Sequence, residues 1–474
     1  MRRIVVAAGW LALLALAPAR AAPGPSAPAQ PATLGDADIA RLIRFRVDRQ
    51  HRATSAVVGV LRPGGVSILA YGPNGARAAR KTGGDTVFEI ASLTKIFTGL
   101  LLADAVVRGE AGLDDPLSAY VPPGVRVPDF DGRAITLTDL ATHTAGLPLR
   151  PDNLNAAPDA PNKYARYSLA QLYAGLPDYR LTRRPGAQFE YSNVGPSLLG
   201  HGLALRAHAA YADLLAARIT GPLGLKDTRF GDEPAVRRRR AQGHDAALKP
   251  VGPTDDGALD PAGGLRSTAD DLLKFLSLFA RDGQGAPGDL AKAARLMLKV
   301  DRPGDDGATR MALSWRRSKS GAATYYWSNG SGDGSRTFMG FDPASHVAVV
   351  ALADAAGGEG LDDIARRVLD PTQPVNLRIP IVHHEIALPE AALDRVLGTY
   401  EFAPDDKISV ARATTGLLIS AGPSQLIIYP EAADRFFARV ADLQFDFILP
   451  PGGGPPTALV LHQDGQAFTY RRVP

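Results

Sequence analysis

The chain has no cysteine in its 474 residues. That excludes disulfides, thiolate metal sites, a cysteine nucleophile and a lipid-modified cysteine. It has no Gly-x-Ser-x-Gly elbow, which excludes an α/β-hydrolase reading, and no zinc-protease histidine spacing. His383-His384-Glu385 reads as tag-like surface, and neither a metal nor a cofactor is expected. Charge of one sign is also missing: 53 Lys and Arg stand against 49 Asp and Glu, a formal +4. Arg2, Arg3 and Arg20 lie in the first 21 residues, which hold no acid, so the remainder carries only +1. A nearly neutral chain gives no electrostatic case for a nucleic-acid partner. The one dense basic run, the arginines at 237–240, reads as solvated surface.

Long hydrophobic runs are absent beyond residues 4–17. That run follows Met1-Arg2-Arg3 and precedes Ala19-Arg20-Ala21: a basic start, an apolar centre and a small-x-small cleavage site. Residues 1–21 therefore read as a secretory signal peptide, the run being short for a membrane span. Export to the periplasm or beyond, with no stable span after cleavage, is the expectation. Residues 22–35 are a Pro/Ala-rich linker.

Organisation then alternates. A helix is expected at 37–49, and strands at 55–61 and 66–71 around an Arg62-Pro63-Gly64-Gly65 turn. Helices are expected from Ser92 to near Gly109 and at 139–142, 197–220 and 268–280. Strands return at 323–327, 337–341 and 347–352, implying one antiparallel sheet built from both ends of a domain spanning 36–369. Residues 370–386 read as a linker. Eight short strands between 398 and 471 make 387–474 a small β-barrel or sandwich.

The chemistry starts at Ser92-Leu93-Thr94-Lys95, the only Ser-x-x-Lys in the chain. At the start of a helix this spacing puts both side chains on one face, one turn apart. Serine is a weak nucleophile without an adjacent base, and a buried lysine can be one. Ile96, Leu100, Ala103 and Val107 give that helix a core face. The only Tyr-x-Asn is Tyr191-Ser192-Asn193. A tyrosine near a cation can accept or return a proton, and an asparagine amide can hold a substrate carbonyl and steady the lysine. The third segment, Trp327 through Gly334 (WSNGSGDG), is glycine-rich and flanked by strands. It can offer a backbone N–H to an oxyanion beside a nucleophile, or be a plain hairpin turn; no helix follows to make it a phosphate loop.

In that order the three motifs resemble the serine β-lactamase and penicillin-binding superfamily. The Tyr-x-Asn form points to its class C β-lactamase and D-alanyl-D-alanine carboxypeptidase branch. Segments such as ASLTKIFTGLLL, ITLTDLATHTAGLP, EYSNVGPSLLGHGL and PAGGLRSTADDLLKFL look like that branch over residues 36–369, and residues 88–148 look especially like its periplasmic carboxypeptidase/endopeptidase members. The tail is similar to a lipocalin-like domain appended to many members. The resemblance implies an α+β, β-lactamase/transpeptidase-like fold: an antiparallel sheet flanked by helices, a helical subdomain, and then the small all-β domain. It implies Ser92 as acylated nucleophile, Lys95 as its proton acceptor, Tyr191 as general base and acid, and Asn193 as a substrate-amide contact. Ser328, Asn329 and Gly330 fall at the substrate-binding third motif, and the N–H groups of Ser92 and Ser331 form the oxyanion hole. His143 matches a structural position that bonds backbone.

One departure stands out. The third motif of that family begins with Lys or His, where this chain has Ser328. The literal Lys81-Thr82-Gly83 precedes Ser92 and reads as a turn. The lost cation would help bind a substrate carboxylate and lower the tyrosine pKa; Arg336, Lys319 and Arg317 are the candidate replacements. Three functions follow. One is acyl-enzyme hydrolysis of peptidoglycan D-Ala-type peptides or β-lactams; another is an esterase or D-amino-acid amidase or peptidase on small substrates. The last is a non-catalytic envelope-binding protein on the same fold. The partner is a small-molecule or peptidoglycan-peptide substrate, and the oligomeric state is open.

Overall fold

A computed structural model describes residues 34–74, 80–156, 162–320, 323–379, 383–422, 424–439, 443–463 and 466–473. The signal peptide and nearly all of the Pro/Ala linker expected from the sequence lie outside these residues. The chain divides into two compact units, one of Ala22–Asn155 with Asn162–Leu377 and one containing Arg378–Pro474.

The larger unit is built on an eight-stranded sheet. Its strands lie side by side in the order Gly65–Tyr71, Ala56–Arg62, Val347–Ala353, Arg336–Asp342, Ala323–Ser331, Arg316–Ser320, Arg310–Met311 and Arg302–Pro303. The sheet closes over the two ends of the unit: Ala56 pairs with Ala353 and Leu61 with Ala348, antiparallel. The first hairpin turns between Arg62 and Gly65, where φ is +139° and a side chain is unwelcome. The last three strands named are additions to the sequence expectation. Arg316–Ser320 reads RRSKS, with no apolar alternation to announce it.

Both faces of the sheet are covered. Val58, Val60, Trp327 and Phe338 pack with Ile39, Ile43 and Ile364 on one face. Those last residues come from the helices Asp36–Asp48 and Asp362–Leu369, which are tied by a buried Arg46–Asp363 ion pair at 2.7 Å. Val57, Met339 and Phe341 face the other way, onto a core that includes the helices Thr94–Val107 and Ala269–Ala280. The expected single helix over 197–220 is interrupted: Val194–Arg206 is followed by Tyr211–Leu215, which runs on into a wider helical turn at Ala216–Thr220. The break comes at His208, whose φ of +50° no helix tolerates. Lys81-Thr82-Gly83 opens a turn closed by Thr86 N donating to Gly83 O, away from the motif order of the site. Arg239 and Arg240 are half-buried and ion-paired to Asp227 and Asp232 rather than freely solvated.

The smaller unit is a closed eight-stranded antiparallel barrel. Alternation decides its interior: in Leu443–Ile448, Leu443, Phe445 and Phe447 are buried while Gln444 and Asp446 are not. The interior is filled by Tyr400, Ile428, Phe436, Phe445, Phe447 and Tyr470 among others. His383 corrects the tag-like reading: it stacks on Phe437 at 4.6 Å and meets Glu431 at 3.0 Å. Among the described residues no helix is long and apolar enough to cross a membrane.

Candidate active site

Ser92 lies in a 3-10 turn, Ala91–Leu93, that runs directly into the Thr94–Val107 helix. Ala91 sits in the left-handed region at φ +46°. Such a conformation costs a non-glycine residue about 1–3 kcal/mol and persists only when its surroundings enforce it. Here they do: Ile90 N donates to Leu265 O at 3.0 Å, and Thr94 Oγ1 accepts from Leu265 N at 3.2 Å. The helix behind is buried on every side from Thr94 to Ala105, more than the one core face expected.

Lys95 is buried, and its Nζ donates to Ser92 Oγ at 2.9 Å and to Ala262 O at 2.7 Å. The second partner is a backbone carbonyl from the Pro-Ala-Gly-Gly segment, not the Asn193 amide expected to steady it. Tyr191 also reaches Ser92, its hydroxyl donating to Ser92 Oγ at 2.6 Å. Lys95 Nζ lies 5.0 Å from the centre of the Tyr191 ring.

The loop holding Tyr191 is pinned at successive residues. Glu190 N donates to His143 O at 2.7 Å, Ser192 N to His143 Nδ1 at 3.2 Å, and Asn193 N to Leu149 O at 3.2 Å. Ser192 Oγ donates to Pro148 O and accepts from Gly195 N, closing the entry into the Val194–Arg206 helix. Asn193 is half-buried at that helix start. His143, itself at φ +58°, sets its ring 4.5 Å from that of Tyr191, tilted by 31°. Burial, then the charges of Lys95 and Arg316, hold His143 well below the ordinary histidine range. A neutral imidazole accepting a backbone N–H is the structural role the sequence suggested.

Tyr191 is the electrostatic centre. Burial alone would raise its pKa, but the Lys95 charge, hydrogen bonds with Lys95 and Ser92, and the Arg316 charge together bring it below the ordinary tyrosine value. Nearby, burial and the Asp260 carboxylate push Asp256 up to about 7, against the pull of Lys95.

The third motif forms the end of the Ala323–Ser331 strand. Gly330 passes so close to the Ser92 turn that an added Cβ would lie 2.6 Å from Ile90 O and 3.0 Å from Ser92 N. Thr337, its cross-strand partner, donates through Oγ1 to Ile90 O at 3.0 Å. Gly332 N donates to Ser335 O, so by ladder alternation the Ser331–Arg336 pair is a non-hydrogen-bonded one. The Ser331 N–H therefore points away from that partner, and the strand on its other side pairs only as far as Trp327. Ser328 is buried on the Gly330 face of the strand.

Asn329 is a correction. It lies on the opposite face, where its Nδ2 donates to Asp362 Oδ2 at 2.8 Å, so its side chain is spent on the Asp362–Leu369 helix. The candidate cations are likewise engaged elsewhere. Arg317 pairs with Asp301 at 2.8 Å, Lys319 is exposed, and buried Arg336 acts on Asp362. The cation beside Tyr191, besides Lys95, is one the sequence reading passed over, and it too is ion-paired, with Asp305 at 2.8 Å. The Arg316 guanidinium lies 5.9 Å from the rings of Tyr191 and Phe189 and 5.0 Å from that of Trp327. Its only signal in the sequence is a place among the cations of Arg-Arg-Ser-Lys-Ser.

A model of the Beta-lactamase family matches residues 39–372. The D-alanyl-D-alanine-carboxypeptidase/endopeptidase AmpH of Escherichia coli (strain K12) is 31% identical over 274 residues, spanning 56% of this chain and 69% of that protein. A beta-lactamase of Lysobacter lactamgenus is 29% identical over 244 residues, spanning 51% and 60%. Among solved structures, a class C beta-lactamase from Rhodobacter sphaeroides superposes with a TM-score of 0.61 at 26% identity, covering 70% of this chain and 98% of that one. The match in family, sequence and architecture agrees with the order of the three motifs: the chain belongs to the beta-lactamase family, the serine hydrolases related to β-lactamases and D-alanine carboxypeptidases.

Proposed function

We propose that this protein is an exported hydrolase that forms an acyl-enzyme on Ser92, with peptidoglycan D-Ala-type peptides or β-lactams as substrates. The observation that carries this is a serine oxygen held between a buried lysine at 2.9 Å and a tyrosine at 2.6 Å. Ionised Tyr191 takes the Ser92 proton as Oγ attacks the substrate carbonyl. The carbonyl oxygen becomes an oxyanion between the N–H groups of Ser92 and Ser331. Collapse breaks the bond to the leaving group, which receives the proton from Tyr191. Water then repeats the cycle: Tyr191 removes its proton, the ester to Ser92 breaks, and Oγ is reprotonated. Lys95 supplies the positive charge that makes a phenolate tolerable there. Export is supported by the composition of residues 1–21, and the carboxypeptidase/endopeptidase relative supports the substrate class.

Hydrolysis of small neutral esters is the second reading, favoured by Ser328 in the third motif. Intact-mass analysis after mixing with a penicillin and, separately, an activated ester tests both. A single adduct on Ser92 that is absent from Ser92→Ala is expected. An adduct elsewhere, or none with either donor, refutes the acyl-enzyme.

A further inference from the structure

We propose that Thr98 and Tyr211 are positioning residues of this hydrolase: their two hydroxyls hold the Pro261-Ala262 backbone and so set where the Lys95 ammonium stands between Ser92 and Tyr191. The inference rests on the acyl-enzyme reading of Ser92.

Lys95 and Thr98 are three residues apart on the Thr94–Val107 helix, so they share a face. They donate to two consecutive carbonyls, Lys95 Nζ to Ala262 O and Thr98 Oγ1 to Pro261 O, both at 2.7 Å. Tyr211 Oη lies 2.6 Å from Thr98 Oγ1. A threonine hydroxyl has one hydrogen and two acceptor sites. Thr98 gives its hydrogen to Pro261 O, since the carbonyl on its own helix, Thr94 O, is 3.5 Å away. Tyr211 must then donate to Thr98. Burial pushes the Tyr211 phenol well above the ordinary tyrosine value, which keeps that proton in place. Both side chains are buried, so the relay runs through the interior.

The two carbonyls belong to a short segment laid against two helices. It comprises the 3-10 turn Gly257–Leu259 and the single helical turn Asp260–Gly263. His201 fixes its start, donating through Nε2 to Ala258 O at 2.9 Å. Leu265 fixes its end, through Thr94 Oγ1 and Ile90 N. Gly200 lets the middle close in, since a Cβ there would lie 2.4 Å from Pro261 Cβ and 2.9 Å from the Tyr211 ring. Thr98 therefore grips the segment one residue from the carbonyl that Lys95 uses.

That carbonyl matters because among the described residues Lys95 has no carboxylate in hydrogen-bond reach. Its ammonium is held by Ser92 Oγ and Ala262 O, and Asp256 acts on it only through space. A displaced Ala262 carbonyl moves the charge, and that charge lowers the Tyr191 pKa against burial. The other groups facing Tyr191 are Ser92, neutral His143 and Arg316. His143 bonds the Tyr191 loop and Arg316 bonds Asp305, so neither is tied to the relay. A displaced Tyr191 titration in a relay variant therefore reports Lys95.

The test measures kcat and KM for p-nitrophenyl acetate from pH 6 to 10 in wild type, Thr98→Val, Thr98→Ser, Tyr211→Phe and Ser92→Ala. Thr98→Val keeps the shape of the side chain and removes the relay. It is expected to lower kcat by about tenfold to a hundredfold, the scale of a misplaced catalytic group, with KM within about threefold. The rising limb of kcat/KM should move to higher pH. Thr98→Ser keeps the hydroxyl and should restore both the rate and the limb. Tyr211→Phe leaves the Thr98 bond to Pro261 O without its anchor and should give a smaller change of the same kind. If Thr98→Val does not fold, Tyr211→Phe decides. An active wild type with kcat and limb unchanged in these variants overturns the inference alone. So does a fall in kcat without displacement of the limb, or one that Thr98→Ser shares, because either would mark a purely structural role. A wild type no faster than Ser92→Ala overturns the acyl-enzyme reading beneath it.

Discussion

Gly330→Ala is the sharpest single test of how the sheet edge serves Ser92. The added Cβ would stand 2.6 Å from Ile90 O and 3.0 Å from Ser92 N, and against Thr337 Oγ1. Two of these obstacles are backbone atoms of the segment that carries the nucleophile. That segment cannot retreat easily, since Ile90 N is bonded to Leu265 O at 3.0 Å. The strand must instead move outward by about half an ångström or more, taking the Ser331 N–H with it. Overpacking of this kind costs about 1–3 kcal/mol of stability. Losing one oxyanion donor costs about 2.7–4 kcal/mol in the transition state, or roughly a hundred- to a thousandfold in kcat. Activity should therefore fall much further than thermal stability. Gly332→Ala is the control, because its Cβ would meet side-chain atoms first, Ser335 Oγ at 3.0 Å and Ala91 Cβ at 3.7 Å, and backbone only at an ordinary contact distance, Ser335 N at 4.0 Å. The measurements are kcat/KM for an activated ester and the unfolding midpoint of each variant. A Gly330→Ala enzyme within about threefold of wild type in kcat/KM would refute the reasoning.

Lys95→Ala and Tyr191→Phe should each reduce turnover by about a hundred- to ten-thousandfold while leaving a folded protein, the second by removing the positioned base and the first by removing the charge that keeps it ionised; near-wild-type acylation in either would remove that residue from the mechanism. The depressed Tyr191 pKa predicts a rising limb of kcat/KM at pH values below 10, as the phenolate forms; a profile measured on a neutral ester that climbs only around or above pH 10 would contradict it. Asp256 titrates near 7 in the fold against about 3.9 when unfolded, so its stabilising effect is complete below pH 4 and fades as pH rises through 7. Asp256→Asn should flatten the decline of the unfolding midpoint between about pH 4 and 7, with Asp260, raised to about 6, leaving a residual slope below pH 6; equal slopes in both proteins would be the contrary result. Asp363→Ala strands Arg46, which is 3% exposed in the pair, and should cost about 3–5 kcal/mol in denaturant unfolding, as breaking a buried ion pair does; a loss under 1 kcal/mol would show the pair to be dispensable.

What could be read without coordinates was local. Proline and glycine at 63–65 marked the first hairpin, and Thr268 before an apolar run marked a helix whose Asp271 N it caps. The barrel strands were visible because alternate residues of one strand face one environment. The pairing of Ser92 with Lys95 was visible because three residues make nearly one helical turn. Tyr191 was found by its spacing to Asn193 and the resemblance that spacing carried. Where chemistry and periodicity coincide over a few residues, the pattern survives in one dimension.

The sequence by itself determined the pairing of Ser92 with Lys95 on one helical turn, the antiparallel sheet made from both ends of its unit, and the all-β tail. The tertiary structure alone decided which side of the third-motif strand looks at Ser92. Alternation separates Ser328 and Gly330 from Asn329 in any strand, but only packing says that Asn329 turns to Asp362. It also decided the break at His208, since a left-handed residue is imposed by what surrounds it rather than by its own preference. Above all it chose Arg316 from a run of cations with no apolar face to orient them. An electrostatic field falls off through space, and the residues that shape it at Tyr191 come from distant parts of the chain, so no local pattern records which charge arrives.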